Sequence, residues 1–170
     1  MRIGIFGGSF DPVHCGHIHL AERMLKAHSL ARVYFVPVKR SPFKSSSPLA
    51  SAKDRLAMLN LALAGHPAFM VSSCELQRPA PSYTAHTVRF FRQKFPGAEL
   101  CLMMGKDALR QFGKWKNSDF IRKECRLISI PRIGGISSSK IRARLASGRA
   151  LPKKNLPGTV ERYALKRKIY

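Results

Sequence analysis

Two histidines three residues apart, His14 and His17, stand in the stretch GIFGGSFDPVHCGH, where an apolar run gives way to an amphipathic one. After a strand, Gly7-Gly8 permits a tight turn and lets a ligand reach the backbone without meeting a Cβ. Pro12 stiffens the exit, and a spacing of three places both imidazoles on one face of the first turn of a following helix. The unpaired backbone N–H groups of such a helix start attract an anion. Two imidazole donors beside them suit a phosphate chain, above all one that gains charge during a reaction. The glycine spacing is not GxGxxG, and no GK[ST] marks a P-loop. Two other readings remain open here. His14, Cys15 and His17 could form part of a zinc site, although no second cluster supplies the missing ligands, and the pair could be purely structural.

A second constellation is GGISSSKIRARL. Ser137, Ser138 and Ser139 stand at the start of an expected helix, with Lys140, Arg142 and Arg144 close behind. Capping accounts for one serine, not three. Arg142 lies one turn in and can fork onto a phosphate bidentately. The two stretches together describe two helix starts facing one polyphosphate.

The elements that must hold them alternate. Strands are expected at 3–6, 33–38, 69–71, 100–104 and 126–130. Helices are expected from Ile18 to about Ser29, from a Ser51–Asp54 cap through Leu56, Leu59 and Leu63, and over 84–94 and 107–112. Others should run from Ser118, over 137–145, and over 159–168. This pattern predicts an α/β fold, a Rossmann-like doubly wound parallel sheet of about five strands with helices on both faces and a helical C-terminal part from about 136 to 170. Ligands of such sheets sit beyond the carboxyl ends of the strands. The unusual residues do follow strands: the glycine–histidine stretch strand one, Lys39–Lys44 strand two, Gly105–Asp107 strand four and Arg132 strand five.

The 170 residues suit one domain, 1–170, without internal repeats. No secretory apolar region and no run of about 20 apolar residues is present, so no membrane span is expected. Cys15, Cys74, Cys101 and Cys125 form no CxxC pair and read as reduced thiols in a cytoplasmic protein. Thirty-one Lys and Arg against nine Asp and Glu give a net charge of +22. From Arg110 to Tyr170 there are 17 basic and 3 acidic residues. Such a field attracts polyanions or is simply a solvated basic surface.

With both motifs in view, the chain resembles the nucleotidyltransferase superfamily that carries an HxGH signature and a C-terminal SSxxIR-type motif. SPFK, PSYTAHT, MMGKDALRQFGKW and NLPGTVERYALKRKIY narrow the likeness to the nicotinate-nucleotide adenylyltransferases, in family order over nearly the whole chain. The resemblance implies adenylyl transfer from ATP to nicotinate mononucleotide, with Mg2+ arriving on ATP. It implies that Gly7, Gly8, Ser9 and Phe10 line the nucleotide turn and that His14 and His17 contact the phosphates as pyrophosphate leaves. Lys44 would reach the phosphates from its loop, and Ser138, Ser139 and Arg142 would grip the β and γ groups. Tyr83 and Thr84 would hold the pyridine-carboxylate end, Trp115 would stack on the pyridine ring, and Gly105, Asp107 and Arg132 would border the adenosine.

Two departures stand out. Relatives usually carry a His before the loop lysine, and here Phe43 precedes Lys44. Only Ile133, Gly134 and Gly135 separate Arg132 from Ile136, where relatives carry a longer connection, so one sheet strand is expected to be missing. The alternative acceptors are nicotinamide mononucleotide and phosphopantetheine, although the latter offers no flat ring for Trp115. From another class, a basic nucleic-acid-binding protein on the same fold would show affinity falling steeply with salt. Oligomeric state is not set by the sequence.

Overall fold

A computed structural model of the chain describes residues 1–43, 46–131, 134–152 and 154–170. Strands β1 (Arg2–Gly8), β2 (Arg32–Pro37), β3 (Phe69–Val71), β4 (Glu99–Gly105) and β5 (Cys125–Ile130) form one sheet in the order β3-β2-β1-β4-β5. Every pairing is parallel, with Ile5 beside Tyr34 and Leu102, Tyr34 beside Met70, and Leu102 beside Leu127.

The strands are apolar at both parities because both faces are covered. On one face Phe6, Val33, Phe35, Met103 and Ile128 meet helices α1 (Cys15–Ala27), α2 (Ala52–Leu63), α6 (Ser138–Ala146) and α7 (Gly158–Lys166). On the other, Ile3, Ile5, Tyr34, Leu100 and Leu102 meet α3 (Thr84–Lys94), α4 (Lys106–Arg110) and α5 (Ser118–Glu124). α1 buries Leu20, Ala21 and Met24 on its inner side. The two larger side chains contribute roughly 2 kcal/mol each by leaving water. Gly4 makes room for Leu30, which lies between α1 and β2: a Cβ there would sit 2.9 Å from Leu30 Cδ1.

The strand order decides where a ligand can go. The chain winds outward from β1 to β3, then crosses back to β4 on the other side of β1. Connections therefore leave the carboxyl ends of β1 and β4 in opposite directions and open a crevice between them. All expected strands and helices are present, with ends shifted by a few residues. α1 begins at Cys15, three residues before the expected start. Beyond β5 the described residues contain no further strand before α6, and Gly134-Gly135 turns the chain directly into that helix, Gly135 at φ +85°.

The turn after β1 differs from expectation. Gly7 and Gly8 complete the strand, Gly8 pairing with Pro37. The left-handed residue is Phe10, at φ +46°. Its side chain is only 1% exposed and packs among Phe6, Phe35 and His17. That burial outweighs the roughly 1–2 kcal/mol cost of the left-handed backbone.

Candidate active site

A cleft of about 730 Å³ opens at the carboxyl ends of β1, β2 and β4. Gly7, Gly8 and Ser9 form one wall, and Gly105 and Asp107 enter from the start of α4. At the far end stand Tyr83, Thr84 and Trp115. Eight of the residues singled out in the sequence thus line one cavity. Gly8 must remain small, since a Cβ would meet the Phe10 ring at 2.9 Å.

The histidines and serines gather beside this cleft around the turn at Asp11-Pro12. His14 is the residue before α1 rather than within it, and His17 lies in the first turn. Their rings stack at 3.6 Å with a 24° tilt, and His17 also meets the edges of Phe6, a cleft residue, and Phe10. The backbone N–H of His14 donates to His17 Nδ1 at 3.2 Å. A neutral His17 therefore carries its proton on Nε2. Burial pushes the His14 imidazole down to about 4. Burial, then the neighbouring His14, hold His17 well below the ordinary histidine range. Both rings are neutral at pH 7, so they act as hydrogen-bond donors and not as resident cations. Nδ1 of His14 is buried and has no protein partner among the described residues.

The three serines divide their work. Ser137 caps α6 by accepting from Lys140 N. The Ser138 hydroxyl donates to Pro12 O at 3.0 Å, and Ser139 Oγ accepts from Arg142 Nη2 at 3.4 Å. Arg142 Nη1 donates to Asp11 O at 2.7 Å and lies 3.7 Å from Asp11 Oδ2. The two motifs, 131 residues apart in sequence for this contact, are thereby locked together.

Tyr83 caps α3 through its backbone alone, with no side-chain bond to the helix start. Trp115 follows a 3-10 turn (Phe112–Lys114) and packs against Phe112 on one side. Phe43 stacks on it from the loop after β2, with ring centres 5.9 Å apart and a 29° tilt. Of the residues predicted to line the nucleotide turn, Gly7, Gly8 and Ser9 line the cleft, whereas Phe10 turns its side chain into the core. Lys44 and Arg132 lie outside the described residues.

Sequence reasoning overlooked the residues that hold the site together. Arg55 of α2 is 2% exposed and donates to Ser9 O at 2.9 Å, Val38 O at 2.8 Å and Ala50 O at 3.3 Å. It fastens the β1 turn to the β2 loop. Asp11, buried, accepts from Leu49 N, Ala50 N and the Tyr170 hydroxyl. Asp11 stood within the first motif as its only acid. Arg55 gave a fainter signal, the last of three successive charges before the apolar positions of α2. Glu75, also buried in the cleft wall, accepts from Thr87 Oγ1, and burial pushes its carboxyl up.

Residues 5–144 match the model of the cytidylyltransferase-like family. The chain is 40% identical over 188 aligned positions to a nicotinate-nucleotide adenylyltransferase of Thermus thermophilus, covering 100% of both chains. That alignment is longer than this chain, so the relative has residues with no counterpart here. A Methylacidiphilum infernorum relative of the same name is 39% identical, over 99% of this chain and 92% of that one. Among solved structures, a Vibrio parahaemolyticus nicotinate-nucleotide adenylyltransferase superposes with a TM-score of 0.81 at 20% identity, covering 99% and 94% of the two chains. The Plasmodium falciparum nicotinic acid mononucleotide adenylyltransferase complexed with NaAD gives 0.76 at 18% identity, covering 99% and 97%. These two likenesses speak for the fold.

Proposed function

Because this chain belongs to the nicotinate-nucleotide adenylyltransferase family, we propose that it joins ATP and nicotinate mononucleotide into nicotinate adenine dinucleotide and pyrophosphate, a step of NAD biosynthesis. The acceptor's 5′-phosphate oxygen attacks the α-phosphorus of ATP in line. The bond from that phosphorus to the α–β bridging oxygen breaks, and its electron pair leaves with pyrophosphate. No protein nucleophile is needed. The protein contributes position and stabilisation of the charge that accumulates on the leaving group.

His17, with its proton on Nε2, and His14 beside it donate to the phosphates as neutral rings. Arg142, Ser138 and Ser139 hold the β and γ groups from the start of α6, and the family resemblance adds Lys44. Gly7, Gly8, Ser9, Gly105 and Asp107 border the adenosine, and the family resemblance adds Arg132. Tyr83, Thr84 and Trp115 receive the nicotinate end. No group of three or more His, Cys, Asp or Glu among the described residues could hold an ion by itself. That suits a Mg2+ ligated chiefly by phosphate oxygens and water, which would neutralise triphosphate charge.

The observation that carries this reading is the lock between Arg142 and Asp11, which sets both phosphate motifs beside a ring-lined cleft. Pyrophosphate release from Mg-ATP, measured with nicotinate mononucleotide, nicotinamide mononucleotide and phosphopantetheine, tests it. Release with the nicotinate acceptor, abolished by His17→Ala, is the expected result. No release with any acceptor would overturn the reading.

The four cysteines are unpaired, which supports a cytoplasmic setting. No helix among the described residues is long and apolar enough to cross a membrane. The +22 charge supports a secondary, nonspecific attraction of nucleic acid. Its affinity should fall linearly with log salt in a titration against duplex DNA, and a flat response would exclude it.

A further inference from the structure

We propose that Lys116 is a specificity-determining residue that favours an acidic pyridine acceptor over its neutral amide. The inference rests on the adenylyl-transfer reading above and extends it to the choice of acceptor, which the sequence left open. Lys116 lines the same end of the cleft as Tyr83, Thr84 and Trp115. Its Nζ stands 4.6 Å from the centre of the Tyr83 ring, held over that face by cation–π attraction. Tyr83 is in turn the residue on which α3 begins, and no side chain caps that helix start. A cation and the positive end of an eleven-residue helix therefore meet in the cleft that Trp115 also lines.

An acid and an amide on a pyridine ring have nearly the same shape, so a slot formed by rings alone cannot separate them. Charge can. The acidic groups of the cleft are Asp107, at the start of α4, and Glu75, which is buried and accepts from the Thr87 hydroxyl. Lys114 also lines the cleft, but Lys116 is the lysine held against the ring that begins α3. An aromatic carboxylate that replaces the exposed Phe43 ring against Trp115, with its charge towards α3, would gain from Lys116 what a carboxamide would not.

The test is Lys116→Met, which keeps the aliphatic stem and removes the charge, with Lys116→Arg as the conservative control. kcat/KM is measured for nicotinate and nicotinamide mononucleotides, together with KM for ATP. The Met variant should lose about 5- to 10-fold with the acid through KM, while the amide and ATP change by less than about twofold. The Arg variant should keep the acid preference. In the unsubstituted protein, KM for the acid should rise with added salt more steeply than KM for the amide, since both carry the 5′-phosphate and only the acid adds a carboxylate. An equal loss with acid and amide would mean that Lys116 merely packs on Tyr83, and an unchanged ratio would remove it from recognition. Either result overturns the proposal while leaving adenylyl transfer standing. Absence of turnover in the unsubstituted protein would instead overturn the underlying reaction, and this proposal with it.

Discussion

The hydroxyl of Tyr170 donates to Asp11 Oδ1 at 2.8 Å, across 159 residues of sequence. The same carboxylate receives Leu49 N at 2.8 Å and Ala50 N at 3.0 Å, and Asp11 O receives Arg142. One buried residue thus joins the β1 turn, the start of α2, the phosphate-facing helix α6 and the C-terminal segment. Burial, then the bond to Asp11, push the Tyr170 phenol far up, so it remains a donor at every working pH. Asp11→Ala would leave two amides and the Tyr170 hydroxyl without that acceptor and would remove the carboxylate 3.7 Å from Arg142 Nη1. We expect a loss of about 3 kcal/mol by urea unfolding, and Tyr170→Phe should lose about 1 kcal/mol. Equal and negligible losses would show that the network does not bear on stability.

Arg55 offers a second test. Arg55→Met retains much of the volume but strips three carbonyls, those of Ser9, Val38 and Ala50, of their donor. A cost of roughly 3 kcal/mol is expected, together with a raised KM for ATP because the Ser9 wall loosens. Thermal and kinetic measurements on the same preparation check both. A variant as stable as its parent would show that water replaces the guanidinium without penalty.

The stacked histidines set a pH dependence. His14 has its imidazole lowered to about 4 in the folded protein, against about 6.5 when unfolded. The unfolded state therefore binds the proton first. Stability from keeping this ring neutral is whole above pH 6.5 and is lost progressively as pH falls towards 4, by up to about 3 kcal/mol. His17, shifted the same way, adds to the loss over the same acidic side. Urea midpoints between pH 7.5 and 4.5 should fall, and His14→Asn should flatten part of that slope. A parallel profile for the variant would contradict the assignment.

Phe43 stacks on the only tryptophan of the chain while remaining 55% exposed. Phe43→Ala should change stability by less than about 0.5 kcal/mol. It should nonetheless shift Trp115 emission to the red, because the indole face loses its cover and meets water. Emission at an unchanged wavelength would place the phenyl ring away from Trp115 in solution.

Local chemistry made much of this protein legible in its sequence. Apolar runs of strand length, caps such as Ser51 with Asp54, and breaks at Gly65 and Pro96-Gly97 act over a few residues, so all five strands and their intervening helices could be read directly. The glycine–histidine stretch and the serine–arginine stretch were legible for the same reason, since each packs its chemistry into a dozen residues. The likeness to a family then supplied roles that spacing alone could not.

Tertiary structure decided what depends on distant partners. Phe10 adopts the left-handed turn because a core awaits its ring. The histidines are neutral because burial and their mutual stacking disfavour charge. Arg55, Asp11 and Tyr170 reveal their function only when α2, the β1 turn and the last residue meet, and Lys116 acquires a direction only over Tyr83. Hydrogen bonds and Coulomb forces act through space, and their partners here lie dozens of residues away along the chain.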